Sequence, residues 1–193
     1  GVLNHSAGTS INTSNSCLSS DQVSQIFVDE SNILFLATDI SVSVIDGDNC
    51  FETLGRDDLY ANHKITDIGT SSNDYTYVTT DGGGIGRFKY DVDGITGATL
   101  FDEDWTALET NHINTVFIDD TSQWYGSVNG TAFHYSEYTK WDWETYHSWD
   151  GLISDTVIAI AKDLDENMWF GTYRGISRFD GATWTNYDVD SHN

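Results

Sequence analysis

One order of residues occurs four times along this chain, and that repetition limits the available folds more than any other feature. The last copy is the clearest. It begins at Val157-Ile-Ala-Ile160, passes through Asp163 to Met168-Trp-Phe-Gly-Thr172, continues through Gly175-Ile-Ser-Arg-Phe179 and Asp180-Gly181, and ends at Trp184-Thr-Asn-Tyr187. The same order starts at Val23, Ile65 and Ile113. From the opening Val or Ile to the aromatic of the second run is 12 residues in copies one, two and four, and 11 in copy three. Those aromatics, Phe35, Tyr77, Trp124 and Trp169, lie 42, 47 and 45 residues apart.

Each copy holds four short strand-like runs separated by Gly, Asp, Asn and Ser. No stretch carries the 3.6-residue periodicity of a helical repeat. Four short strands per unit of this length predict an all-β chain, a β-propeller with four visible blades of four antiparallel strands. The blades are expected at about residues 17–56, 57–108, 109–149 and 150–193, after a polar N-terminal segment, residues 1–16. The fourth strands are expected at Phe51-Glu-Thr-Leu54, Trp105-Thr-Ala-Leu108, Trp143-Glu-Thr-Tyr146 and Trp184-Thr-Asn-Tyr187. Gly175 fits the turn between strands two and three of the last copy. Asp46-Gly47 and Asp180-Gly181 fit two-residue hairpin turns between strands three and four, where positive φ is needed. Trp124 and Trp169 are expected to fill the wedges between blades, each burying about 150–250 Å².

The fourth copy, with Leu152-Ile-Ser-Asp-Thr-Val157, Asp163-Leu-Asp-Glu-Asn-Met-Trp-Phe-Gly-Thr172, Gly175-Ile-Ser-Arg-Phe179, Trp184 and Tyr187, resembles the two-component-regulator propeller repeat. The first copy keeps Leu18, Asp21, Val23, Asp29 and Thr38 of that pattern; the middle copies match in outline. The resemblance implies a periplasmic or exported sensor-type module, in a family whose rings usually have seven blades. Four visible copies leave three arrangements open: a closed four-bladed ring, part of a larger ring, or a ring completed by a second copy.

Composition supports a globular, strand-rich chain. Hydrophobic residues make up 38%, with seven Trp, ten Tyr and nine Phe. Thirty-one acidic residues face eight Lys and Arg, a net charge of −23. Such a surface repels phosphate backbones, so no nucleic-acid partner is expected. No apolar run reaches spanning length, so no membrane insertion is expected. Residues 1–16 show no basic-then-apolar leader pattern. A secreted, periplasmic or cell-surface location is expected, and there Cys17 and Cys50 could form a disulfide; two buried thiols are the alternative.

In a propeller the loop entering each innermost strand and the loop between strands two and three share the channel face. The entering positions are Asp21, His63, Asn111 with His112, and Asp155; the second positions are Asp39, Asp81, Asn129, and Tyr173 with Arg174. These slots vary while the core slots hold steady, which marks them as candidate ligand-binding residues. The plainer reading is that Asp and Asn brace turns there. Trp141 and Trp149, spare to the repeat, are candidate glycan-stacking rings. Asp163, Asp165 and Asn167 are weak candidates for holding Ca²⁺, although the pattern lacks the bidentate Glu of a calcium loop. No cofactor is otherwise expected. No His-x-x-x-His or Gly-x-Ser-x-Gly spacing occurs, and no catalytic residue is assigned.

The function expected is non-enzymatic recognition of a glycan or small molecule on the channel face. The alternatives are a structural propeller that forms homo-oligomers, and a lyase or hydrolase. The last is kept because antibiotic lyases of the virginiamycin type carry somewhat similar Trp-containing repeats.

Overall fold

A computed structural model describes residues 10–39, 41–47, 49–55, 63–72, 74–91, 94–101, 108–119, 122–128, 132–136 and 143–189. They form sixteen strands: β1 Val23–Val28, β2 Leu34–Thr38, β3 Ser41–Asp46, β4 Asn49–Gly55, β5 Lys64–Thr70, β6 Tyr75–Asp81, β7 Ile85–Asp91, β8 Gly94–Phe101, β9 Ile113–Ile118, β10 Ser122–Ser127, β11 Ala132–Ser136, β12 Trp143–Tyr146, β13 Val157–Lys162, β14 Met168–Thr172, β15 Gly175–Phe179 and β16 Trp184–Tyr187. Consecutive groups of four make four antiparallel meanders, here sheets 1 to 4. A 3₁₀ turn, Ser148–Asp150, leads from sheet 3 towards sheet 4.

The repeated punctuation has a local physical cause. At the turn after β1 the Asp29 carboxylate accepts the Ser31 and Ile33 N–H groups, at 2.9 and 2.8 Å. At the turn after β13 the Asp163 carboxylate accepts the Asp165 and Asn167 N–H groups, both at 2.9 Å. The loop after the second strand is clasped by a Thr hydroxyl that donates back across it. Thr38 reaches the Ser41 carbonyl, Thr80 the Gly84 carbonyl and Thr172 the Gly175 carbonyl, at 2.9–3.0 Å.

The first strands of neighbouring sheets lie side by side in chain order, and no comparable contact joins β13 to β1 among the described residues. Three apolar clusters fill the joints. Phe35, Ala37, Val42 and Val44 meet Ile68, Val78 and Phe88. Tyr77 and Ile85 meet Leu108, Ile113, Val116 and Tyr125. Trp124 meets Leu152, Val157, Met168 and Phe170. Polar contacts lock the same joints: Asp67 accepts from the Thr115 hydroxyl at 2.8 Å and the Val116 N–H at 3.0 Å.

The structure differs from the sequence reading at four places, the first being that Asp46 ends β3 and pairs with Asn49, so that Gly47 opens the β3–β4 turn. The fourth strand of sheet 2 is Gly94–Phe101, and Leu108 is buried against sheet 3 instead. Leu108, Leu152 and Leu18 hold one slot, five residues before an opening Val or Ile, and plug the side of the sheet that follows. Asp180-Gly181 belongs to a four-residue loop closed by the Asp180 N–H on the Thr183 carbonyl, because the Asp180 side chain also holds Thr183. Trp124 is buried in a joint as expected, but Trp169 is only half-buried, stacked on Tyr187 with centroids 5.7 Å apart.

Candidate functional site

The loop after β6 and the loop before β9 meet at the rim between sheets 2 and 3. The Gly82 and Gly84 N–H groups both donate to the Asn111 carbonyl at 3.0 Å, and Asp81 forms a bridge pair with His112. Their side chains also meet: His112 Nδ1 lies 2.6 Å from Asp81 Oδ1, with both groups about half exposed. His63, entering sheet 2, sets its Nδ1 3.1 Å from the Asp81 carbonyl. The glycine run permits this approach. A Cβ on Gly82 or Gly83 would lie 2.9 or 2.8 Å from the His63 ring, and Gly82 has φ +102°. Four sequence candidates, His63, Asp81, Asn111 and His112, thus converge from two sheets.

The other candidates divide. Asp21 accepts the Thr13 N–H at 2.6 Å, and Asp155 accepts the Ser148 N–H and hydroxyl, at 2.6 and 3.1 Å. Both brace their loops, as the plainer reading has it. Asp39 holds a buried Oδ1 without a hydrogen-bond partner among the described residues. Tyr173 is 79% exposed and Arg174 is exposed beside it. Asn129 and Trp141 lie outside the described residues.

Trp149 is 74% exposed. It stacks on His147, centroids 3.9 Å apart, and His147 Nε2 is fixed 2.9 Å from a Glu109 carboxylate oxygen. His147 and Glu109 did not stand out in the sequence; the signal for them was the short step from His147 to Trp149 in an aromatic-dense stretch.

Asp163 uses both carboxylate oxygens on protein donors, including Asn167 Nδ2 and the Trp169 indole N–H at 2.7 Å. The Trp169 bond leads the causes that lower the Asp163 carboxyl to a pKa of about 2. Asp165 offers its N–H to that turn. Among the described residues no group of three or more His, Cys, Asp or Glu is placed to hold a metal ion. Cys17 and Cys50 are joined in a disulfide.

A cavity of about 430 Å³, lined by none of the candidate site residues singled out from the sequence, opens by the turns after β1 and β5. Phe27, Ile33 and Tyr90 line it beside Asp29, Asp74 and Asp119. Two of these carboxylates are engaged: Asp29 in its turn, and Asp119 with Ser122 and with Lys162 Nζ at 3.0 Å.

No family model and no curated protein matches the chain. Solved structures do. The extracellular domain of a proposed one-component system, BT4673 of B. thetaiotaomicron, aligns with a TM-score of 0.70 at 20% identity, over 89% of this chain and 22% of that one. The extracellular domain of a proposed hybrid two-component system, BT3049 of the same organism, gives 0.69 at 22%, over 86% and 23%. Virginiamycin B lyase from Staphylococcus aureus gives 0.65 at 15%, over 89% and 57%. At these identities the likeness is one of fold, a propeller-type fold that the chain shares with these extracellular domains and with the lyase. It spans less than a quarter of the length of the two extracellular domains. No helix among the described residues is long and apolar enough to cross a membrane.

Proposed function

We propose that the chain is an arc of an extracellular, sensor-type β-propeller whose ligand, a glycan or other small polar molecule, is held at the rim where sheets 2 and 3 meet. One observation carries this reading. Asp81, His112 and His63 come together there from two sheets, with the Asp81–His112 pair open to solvent, whereas Asp21 and Asp155 in the corresponding slots are consumed by their own loops. A half-exposed acid–imidazole pair offers both an acceptor and a donor, which is what hydroxyl-rich ligands need. Trp149, with one face against His147, keeps the other for a sugar ring. The disulfide and the extracellular setting of the two sensor domains support export.

The test is a thermal-shift screen of the chain against saccharides and small anions, repeated on an Asp81→Asn/His112→Ala variant. A ligand that raises the melting temperature of the native chain and not of the variant is expected. A panel without any shift, or a shift that the variant keeps, counts against this rim.

The same pair favours a second reading, proton transfer on the rim, because an imidazole oriented by a carboxylate is general-base geometry. Incubation with virginiamycin B checks it. Conversion of the antibiotic to a product of unchanged mass, absent with His112→Ala, would establish a lyase, and a gain of one water a hydrolase; an unchanged antibiotic removes this substrate.

A further inference from the structure

One joint of the molecule is hollow at a slot where the next two are full. The slot is the second-strand residue that pairs with the last residue of the first strand. It holds Leu34 against Val28, Thr76 against Thr70, Gln123 against Ile118 and Met168 against Lys162. Thr76, Gln123 and Met168 stand two residues before Val78, Tyr125 and Phe170, and so face the preceding sheet with them. Gln123 fills its joint and bonds to the Tyr77 hydroxyl at 2.7 Å. Met168 fills its joint against Trp124. Thr76 is smaller than either, and it lines the cavity of about 430 Å³ beside sheet 1. That volume lies within the range of small-molecule sites, whereas close-packed interiors hold few voids larger than a water.

The walls and the mouth of this hollow differ in character. Phe27 and Phe35 of sheet 1, ring centroids 6.3 Å apart, and Tyr90 of sheet 2 form its sides. Thr76 is 2% exposed, and among the described residues its hydroxyl bonds to no other group. Asp29, Glu30, Asp74 and Asp119 also line it, and among the described residues lining it there is no Lys, Arg or His. Lys162 balances Asp119, and Asp29 is engaged in its turn. Glu30 and Asp74 are exposed, and among the described residues their carboxylates accept no hydrogen bond.

Charge of one sign over low-dielectric walls focuses the field of a cleft, and aromatic faces attract cations. An anion is therefore repelled here. A bare metal ion is not what the arrangement suits, since no group of three or more His, Cys, Asp or Glu among the described residues converges to hold one. A ligand that is cationic at one end and apolar along its body matches mouth and walls together.

We propose that this hollow is a further binding site, for a small organic cation. Its ammonium or guanidinium group sits at Glu30 and Asp74, and its apolar body lies against Phe27, Phe35 and Tyr90 beside the Thr76 hydroxyl. The site is at the opposite end of β6 from Asp81, so it stands apart from the rim and from any ligand held there.

Calorimetric titration of the whole chain at physiological ionic strength tests it with three probes. These are 2-phenylethylamine, 2-phenylethanol, which has the body without the charge, and methylamine, which has the charge without the body. The first is expected to bind at least about tenfold more tightly than either control. Thr76→Met, which copies into this joint the residue of the joint between sheets 3 and 4, is expected to abolish binding and to keep or raise the melting temperature. Should that variant unfold, Glu30→Gln/Asp74→Asn decides. Both side chains are exposed, and Asn suits the positive φ of 66° at Asp74. This double variant is expected to melt as the native chain does and to bind the amine about tenfold more weakly. The proposal is overturned by an absence of heat with 2-phenylethylamine, or by equal binding of either control. Binding that survives unweakened in folded Thr76→Met or in the double variant also overturns it.

Discussion

Asp163 shows how one side chain can fix a turn and an aromatic ring together. Its carboxylate accepts two main-chain N–H groups of its own hairpin, the Asn167 side chain and the Trp169 indole. Those bonds, led by the one from Trp169, hold its pKa at about 2, below the 3.8 of a free Asp. A carboxyl depressed in the folded state contributes stability that is present above the unfolded value and is lost as pH falls towards the folded one. Acid titration followed by tryptophan fluorescence is therefore expected to show a loss of stability between about pH 4 and pH 2 that Asp163→Asn lacks. Coincident profiles for the two proteins would remove Asp163 from acid unfolding.

At the scale of elements, the disulfide ties the segment before β1 to β4 and so holds Leu18 against Leu36 and Ile45 on the outer side of sheet 1. With the two cysteines 33 positions apart, loop-closure entropy makes the bond worth about 3–4 kcal/mol. Urea unfolding with and without reductant, or of Cys17→Ser/Cys50→Ser, should differ by about that amount. Equal midpoints would mean that the unfolded chain is not appreciably constrained by the link. The elements also show what the sequence could reveal. The opening Val or Ile, the aromatic of the second strand and the Thr or Ser that follows it were legible, because they recur at nearly constant spacing in all four copies. The place of β8 was not legible. Trp105-Thr-Ala-Leu108 imitates a fourth strand, but Leu108 is drawn to the next joint, where tertiary packing outweighs the local pattern. At the candidate site, slot counting found His63, Asp81 and His112 separately. Their meeting depends on three glycines and on the approach of two sheets, which spacing alone does not encode. Glu109 and His147 escaped because they pair across 38 residues.

The whole molecule carries a net charge of −23, and its compact state repels itself. Added salt screens that repulsion, with a Debye length of about 8 Å at physiological ionic strength and about 3 Å at 1 M. The melting temperature at low protein concentration should therefore rise with sodium chloride before any specific binding is involved. A flat or falling curve would show that local pairing already balances the charge.

Among the described residues the joints run between sheets adjacent in the chain, and each is made from the same slots. Such a molecule is a linear stack, whose energy is close to a sum of unit and nearest-neighbour terms. Gain of one more unit of 42–47 residues leaves every existing joint in place. Lineages carrying this pattern can thus lengthen or shorten by whole duplications, and selection on a new unit begins at its rim loops while its packing positions are inherited intact.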